Sequence, residues 1–345
     1  MTDQRANEKI VLMVPGESKR NRADHEDEKN AGADGDSDFA PVSAVIPVAR
    51  RPELLAEAIA SICTGRRKPR ELIVVLNAGA TYPDAGTPEF SPTELQEPNA
   101  DRLADRRAAE AAFARFRTTG IRFALVECES AGPGPARNAG VAAAREDWLA
   151  FLDSDDLWAP DKLDRQWRYL AARPHLRAAH TAEVWIKNGR VLTQPAQLRP
   201  HTGRFLRASF YNCLISCSAL MLRRETFAKL GGFDADFAVC EDFELWLRYL
   251  LRLPIGLVPE ALTIKRAGDW PQESRRFHSL DALRIRAILK LVRTEGGRLS
   301  PLEREAARAA CESKLAILEQ GARRRDRDAE ITPLASEVRE LFARF

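Results

Sequence analysis

The 345-residue chain has little histidine and no clustered cysteine. His25, His175, His180, His201 and His278 fall at no metal-ligand spacing. Cys63, Cys128, Cys213, Cys217, Cys240 and Cys311 are scattered, mostly within apolar segments. That pattern argues against a zinc framework and a disulfide scaffold and leaves reduced core thiols as the reading. Only Cys213 and Cys217 would share a face, as a soft-metal pair, if their segment were helical. Charge of one sign is lacking too. Lys plus Arg number 53 against 50 for Asp plus Glu, a net charge of +3, which argues against a nucleic-acid partner on bulk electrostatics. No apolar run approaches the roughly 18 to 20 residues of a membrane span, and MTDQRANEKI lacks the apolar core of a signal peptide, so a cytoplasmic protein is expected. No internal repeat is evident. With 45% hydrophobic and 30% charged residues, the chain reads as an ordinary globular protein with a full core.

Along the chain, residues 1–39 are mixed in charge and rich in Asp, Glu, Lys, Asn and Gly, as in a disordered tail. VSAVIPV from Val42 is a short strand. Pro52 opens a helix with Leu55, Ile59 and Ile62 on one face, and ELIVVL (71–76) is the next strand. Strand, helix, strand at this spacing is a βαβ unit and predicts a parallel sheet covered by helices. A Pro- and Gly-rich loop from Ala78 to about Pro98 precedes a helix over DRLADRRAAEAAFARFR and the strand IRFALVE. Gly132 to Pro135 is a turn, with a helix from Ala136 to Arg145. A strand then runs through Trp148 to Leu152, and Pro160 restarts a helix carrying Leu163, Trp167 and Leu170 at helical spacing. WIKNGRVL reads as a hairpin turning at Asn188-Gly189. Beyond Pro271 the pattern is helical.

The strand ending at Leu152 is followed at once by Asp153, Asp155 and Asp156. Like charges so close need a cation, backbone donors or open water. In an open parallel sheet, ligands lie outside the carboxyl ends of strands, and a D-x-D pair there offers hard oxygens to Mg2+ or Mn2+ bridging nucleotide phosphates. The plainer alternative is a cap with the rest solvated. Arg137 and Asn138, in the first turn of a helix behind a Gly-Pro turn, make an anion site. Glu241 and Asp242 start a later helix and point in different directions. Each is a cap, or one of them is a general base for an acceptor hydroxyl.

Four ordered blocks, VSAVIPVARRPELLAEAIASI, ELIVVLNAG, GPGPARNAGVAAAREDWLAFLDSDDLWAPDKL and GGFD…EDFELWLR, resemble glycosyltransferase family 2 from about Val42 to about Leu253. The resemblance implies an α/β GT-A (Rossmann-like) fold with a mostly parallel central sheet, helices on both faces and a C-terminal helical extension. It divides the chain into a tail (1–39), a GT-A unit (40–270) and an extension (271–345). It further implies metal-dependent, inverting transfer of a sugar from a nucleotide-diphosphate donor to an acceptor hydroxyl. The cofactor is Mn2+ or Mg2+, and the acceptor is a glycan, a lipid-linked group or a protein. On this resemblance Asp153 contacts donor and metal, Asp155 is the metal ligand, Asp242 is the catalytic base and Glu241 lies beside it against the acceptor. Pro47, Asn77, Arg137 and Asn138 belong to the donor site. Two places depart from the family pattern. Leu76 and Asn77 stand where relatives carry Asp-Asp, and leucine accepts no hydrogen bond from a nucleobase, although Asn77 can in part substitute. Asp269 stands where some relatives carry histidine. These departures motivate the alternative of an inactive GT-A domain that binds a nucleotide sugar or a partner. A nucleotidyltransferase ranks lower, because Pro47 to Arg51 is no Gly-rich phosphate loop. The basic run Arg323, Arg324, Arg325 and Arg327 suits peripheral contact with an anionic membrane, or is a solvated helix end.

Overall fold

A computed structural model describes residues 37–77, 100–130, 132–268, 280–325 and 328–344. The expected tail up to residue 36, the loop from Ala78, Asp269 and Arg327 lie outside the described residues. The chain runs β1 (Phe39–Val48), α1 (Pro52–Cys63), β2 (Lys68–Asn77), α2 (Ala100–Phe116), β3 (Arg122–Cys128), α3 (Pro133–Ala143), β4 (Trp148–Phe151) and β5 (Leu157–Trp158). It continues through α4 (Lys162–Ala171), β6 (Ala178–Lys187), β7 (Arg190–Leu192), α5 (Leu206–Ser209), β8 (Leu220–Arg223), α6 (Arg224–Lys229), α7 (Glu241–Arg252) and β9 (Gly256–Ala267). The last helices are α8 (Asp281–Glu295), α9 (Pro301–Arg323) and α10 (Asp328–Phe342).

The strands form one sheet in the order β3-β2-β1-β4-β8-β6-β9-β5, with β7 on β6. The half that carries the acidic turn, β3-β2-β1-β4, is wholly parallel. Strand β8 enters antiparallel beside β4. Because helices cover both faces, β1 is buried at nearly every position and reads as a continuous apolar run rather than an alternation. Its Ala44, Ile46 and Val48 pack with Leu72, Val74, Leu55 and Ile59. The intervening Val45 packs with Ile73, Val75 and Phe151 in a second cluster that runs on into α7, α8, α9 and α10. Each such fully buried aliphatic side chain contributes about 1.5–3 kcal/mol.

The expected elements are present with shifted ends. Strand β1 starts at Phe39 rather than Val42, and α3 starts at Pro133, the helix position proline suits best. The hairpin turns at Asn188 (φ 48°) and Gly189 (φ 73°), the left-handed pair of a two-residue loop. Two places go beyond the sequence reading. The segment of Cys213 and Cys217 is irregular up to a single 3-10 turn at Cys217–Ala219, so the two thiols do not share a helical face. On α4, Leu163 and Leu170 are buried as expected, but the fully buried positions include Lys162 and Gln166. The Lys162 ammonium lies 3.7 Å from the Trp158 ring centroid with no hydrogen-bond partner among the described residues, and burial holds its pKa well below the ordinary lysine value.

Helix α3 approaches the sheet through Gly140. A Cβ there would stand 2.4 Å from Val45 Cγ1 and 3.0 Å from Val75 Cγ2. Both neighbours are stiff β-branched side chains on central strands, so they cannot swing aside. Gly140→Ala is therefore expected to destabilise the protein by about 1–3 kcal/mol through overpacking, despite alanine's better helix propensity. Urea unfolding measures it. An unchanged midpoint would show that α3 can lift from the sheet at no cost.

Candidate active site

The carboxyl ends of β1, β2 and β4 open onto a cavity of about 430 Å³. Pro47, Asn77, Arg137, Asp153, Asp155, Glu241 and Asp242 all line it. Strand β4 delivers the acidic turn. The Leu152 amide donates to Val45 O (3.0 Å), and the Asp156 amide closes the turn on Asp153 O (2.9 Å). Ser218, just before β8, clasps the turn by accepting from the Asp153 amide (3.1 Å) and donating to Asp156 Oδ2 (2.7 Å).

Within this turn the three carboxylates have different environments. Asp156 is buried and also accepts the Arg266 amide (3.1 Å). Burial pushes its carboxyl up to about 7, against the pull of Lys265 and with Asp153 and Asp155 adding repulsion. Asp155 pairs with Arg51 Nη1 (2.9 Å), and its carbonyl accepts Arg266 Nε (2.6 Å). Asp153 pairs with Arg137 Nη2 (2.6 Å) through Oδ1, while its Oδ2 has no hydrogen-bond partner among the described residues. Burial alone would raise Asp153, but Arg137, Lys265 and Arg51 outweigh it and hold the carboxyl below its usual value.

Arg137 is itself buried, and it also donates from Nη1 to Glu241 Oε1 (2.5 Å). One guanidinium faces two carboxylates. Asp153 takes the favourable share, while burial, with Asp242 alongside, pushes Glu241 up to about 7. The anion site expected at the α3 N-terminus is thus filled by the protein's own acids: a Cβ on Gly134 would stand 3.1 Å from Glu241 Cγ. Asn138 does not line the cavity. Its amide clamps Phe233, donating to the carbonyl (2.7 Å) and accepting from the amide (3.0 Å), and so fixes the Gly231-Gly232 turn ahead of α7. Asn77 lines the cavity but donates to Gly132 O (2.6 Å), bracing the start of α3. Leu76 is buried in the core.

Asp242 is placed by an unusual start to α7. Cys240 precedes the helix at φ 63°, a left-handed conformation uncommon for a side chain of its kind, and Glu241 and Asp242 follow as the first residues of α7. Asp242 accepts from the Phe243 amide (2.6 Å) and from Cys213 Sγ (3.4 Å). Burial and the Asp242 charge push the Cys213 thiol well up, so it stays a protonated donor.

The cations Arg51, Lys265 and Arg266 were not singled out in the sequence. Their signal was the register of β9 against β5, which sets Lys265 and Arg266 beside the acidic turn, and this pairing spans about a hundred residues. Arg51 is aimed by its backbone: Asp105 of α2 accepts the amides of Arg50 (2.6 Å) and Arg51 (2.8 Å). A separate hollow of about 520 Å³ between α8 and α10 is lined by Lys290 and Arg293, whose charges are taken up by Asp234 and Glu337.

Removing Arg137 would leave the buried Glu241 and the half-buried Asp153 without their shared cation. Arg137→Met is expected to destabilise the protein by about 3–5 kcal/mol, and adding Glu241→Gln to recover part of that loss. Glu241 also predicts a pH dependence. Its folded pKa of about 7 lies above the unfolded value, so between those two pKa values the folded state binds more protons and stability falls as pH rises. Glu241→Gln should flatten that fall between about pH 5 and pH 7. Denaturation midpoints across the window test this, and an unchanged slope would place the proton elsewhere.

Residues 123–280 match the model of "Glycosyltransferase like family 2". An uncharacterized glycosyltransferase of Haemophilus influenzae is 28% identical over 123 residues, covering 34% of this chain and 41% of that relative. One of Methanocaldococcus jannaschii is 23% identical over 219 residues, covering 62% of this chain and 66% of the relative. The structure of S. aureus TarS 1–349 in complex with UDP superposes with a TM-score of 0.55 at 15% identity, over 81% of this chain and 73% of that one, and shows a shared fold. Sequence blocks, family model and topology point the same way: residues 123–280 are similar to glycosyltransferase family 2, the chain spans less than two thirds of the length of the Haemophilus and Methanocaldococcus relatives, and its fold is the GT-A fold of the glycosyltransferase structures it superposes on.

Proposed function

We propose that the protein moves a sugar from a nucleotide-diphosphate donor to an acceptor hydroxyl by direct displacement with inversion, dependent on a divalent cation. Residues 40–270 are the transferase unit in this reading, and the helices from 271 onward extend it. The observation that carries it is that Asp242 faces the same cavity as Asp153 and Asp155, with Glu241 anchored to Arg137 and Asp242 in no ion pair among the described residues.

Asp153 and Asp155 would hold Mn2+ or Mg2+. The chemistry fits: both donors are hard carboxylate oxygens, and Asp153 Oδ2 is unengaged among the described residues. No group of three or more His, Cys, Asp or Glu side chains suited to a metal occurs among the described residues. Two carboxylates suit a cation that completes its shell with water and substrate phosphates. When bound, the cation supplies charge to offset that developing on the diphosphate. The protein's own cations do the same from the opposite wall, where Arg51 and Lys265 face the acidic turn.

Asp242 accepts the acceptor's hydroxyl proton as its oxygen forms the new bond to the anomeric carbon. The bond from that carbon to the diphosphate breaks, and its electrons leave with the nucleotide diphosphate. Cys213 steadies the base by donating to Oδ2. Donor nucleobase and sugar are open in this reading, and UDP, seen on TarS, is the first to try. Peripheral membrane contact through the basic end of α9, Arg323 to Arg325, belongs to the proposal as well. No helix of the described residues is long and apolar enough to cross a membrane.

Nucleotide diphosphate release from UDP-, GDP- and dTDP-sugars, with Mn2+ or Mg2+, tests the reading. One donor should turn over in a metal-dependent way. Asp155→Ala should abolish metal dependence and turnover together, and Asp242→Asn should lower kcat about 10²–10⁴-fold while nucleotide binding persists. Silence across the panel with metal-dependent nucleotide binding intact would instead identify an inactive, donor-binding domain.

A further inference from the structure

One cation at the cavity lacks an adequate counter-charge. Arg284, in the first turn of α8, lines the cavity wall that also carries Asp242, Cys213 and Leu280. Among the described residues its one ion pair is a long one, Nη1 to Asp281 Oδ1 at 3.4 Å, and its buried Nε has no hydrogen-bond partner there. Asp281 does not serve Arg284 alone. The same Oδ1 lies 3.4 Å from Lys314 Nζ of α9, a side chain only 7% exposed whose firm contact is with Tyr211 O at 2.8 Å. Two cations therefore share one carboxylate at distances beyond a good charge-assisted hydrogen bond. Burial and the Arg284 charge depress the Lys314 pKa, although Asp281 opposes them. A positive side chain in the first turn of a helix is also disfavoured by the helix dipole. A second negative group placed at Arg284 would relieve all three.

We infer that Arg284, backed by Lys314, is the subsite for a phosphate group carried by the acceptor, so that the acceptor is a phosphate-bearing glycan or glycolipid rather than a neutral sugar. This rests on Asp242 marking the acceptor end of the cavity. The opposite end, with Arg51, Lys265 and the acidic turn, is where the donor's diphosphate lies in that reading. The guanidinium accounts for the choice of phosphate: it is a permanently charged planar donor, and its Nη2 has no hydrogen-bond partner among the described residues and can donate to an oxygen of the group. Arg284 is 26% exposed along its side chain, so the group can be reached from the cavity without unfolding α8.

Calorimetric titration with glucose 1-phosphate and with glucose tests this without turnover, so failure of the transfer reaction leaves it standing. Wild type should bind the phosphate at least about tenfold more tightly than the neutral sugar, Arg284→Gln should abolish that preference, and Arg284→Lys should retain part of it. Arg51→Gln should leave the preference in place, since it acts at the donor end. If Arg51→Gln removes the preference and Arg284→Gln does not, the phosphate sits at the donor end and the inference is overturned. Cosedimentation with phosphatidylcholine vesicles, with and without a polyprenyl phosphate, separates the sources. Arg284-dependent binding only to the phosphate-bearing vesicles assigns the group to a lipid. Arg284-dependent binding in the titration alone assigns it to a soluble glycan, and no Arg284-dependent binding in either the titration or the cosedimentation would falsify the subsite.

Discussion

The buried guanidinium of Arg137 is the contact on which the rest of the site depends. It joins the turn after β4, through Asp153, to the first residue of α7, through Glu241, and it lies 5.4 Å from the Phe233 ring centroid. Three segments far apart in the chain meet at one side chain. A buried ion pair of this kind is weak support for net stability, since desolvation offsets much of the attraction. Its value here is geometric, because one planar guanidinium donating once to each acid fixes the direction of both carboxylates. Glu241 is drawn to Arg137, and the next residue, Asp242, lines the same cavity without that tie.

Much of the parallel half of the sheet was legible because its signals are local. Apolar runs of strand length, Pro52 at a helix start, and the Asn188-Gly189 turn each act within a few residues. The acidic turn was legible for the same reason, since a strand that ends in Asp153, Asp155 and Asp156 poses an electrostatic problem on its face. The partners that solve it come from elsewhere. Ser218, Lys265 and Arg266 reach the turn by long-range strand pairing, which no local pattern encodes. Arg137 and Asn138 show the limit of reading a helix start. Both residue types suit an anion site, yet one holds the protein's own acids and the other clamps a glycine turn. Lys162 and Gln166 were hidden by residue type, since buried positions on α4 were sought among its apolar residues.

The charge repulsion of a strand that ends in acid is resolved by a division of labour. Asp156 anchors the loop, held by a serine and a backbone amide and pushed toward the neutral acid. Asp153 is held ionised by Arg137, and its Oδ2 is unengaged among the described residues. Asp155 faces Arg51, whose direction is set by two backbone amides bound to Asp105. The cluster is tolerable before any ligand arrives because each acid has its own counter-charge or donor, with like charges separated by the tight turn.

That balance also bears on how the two ends of the cavity differ. At the sheet end, cations and carboxylates are interleaved at short distances, so an incoming diphosphate must displace existing pairs, and a divalent cation would have to compete with Arg51 for Asp155. Entry there exchanges one set of charge contacts for another, a condition under which affinity depends on small differences between large terms. At the helical end the pairs are long and shared, and Arg284 enters any encounter with donors unengaged. A ligand carrying its own negative charge meets little competition there. The apolar cluster that unites α7 with α8 and α9 therefore brings to the cavity a cationic wall that the sheet alone does not provide.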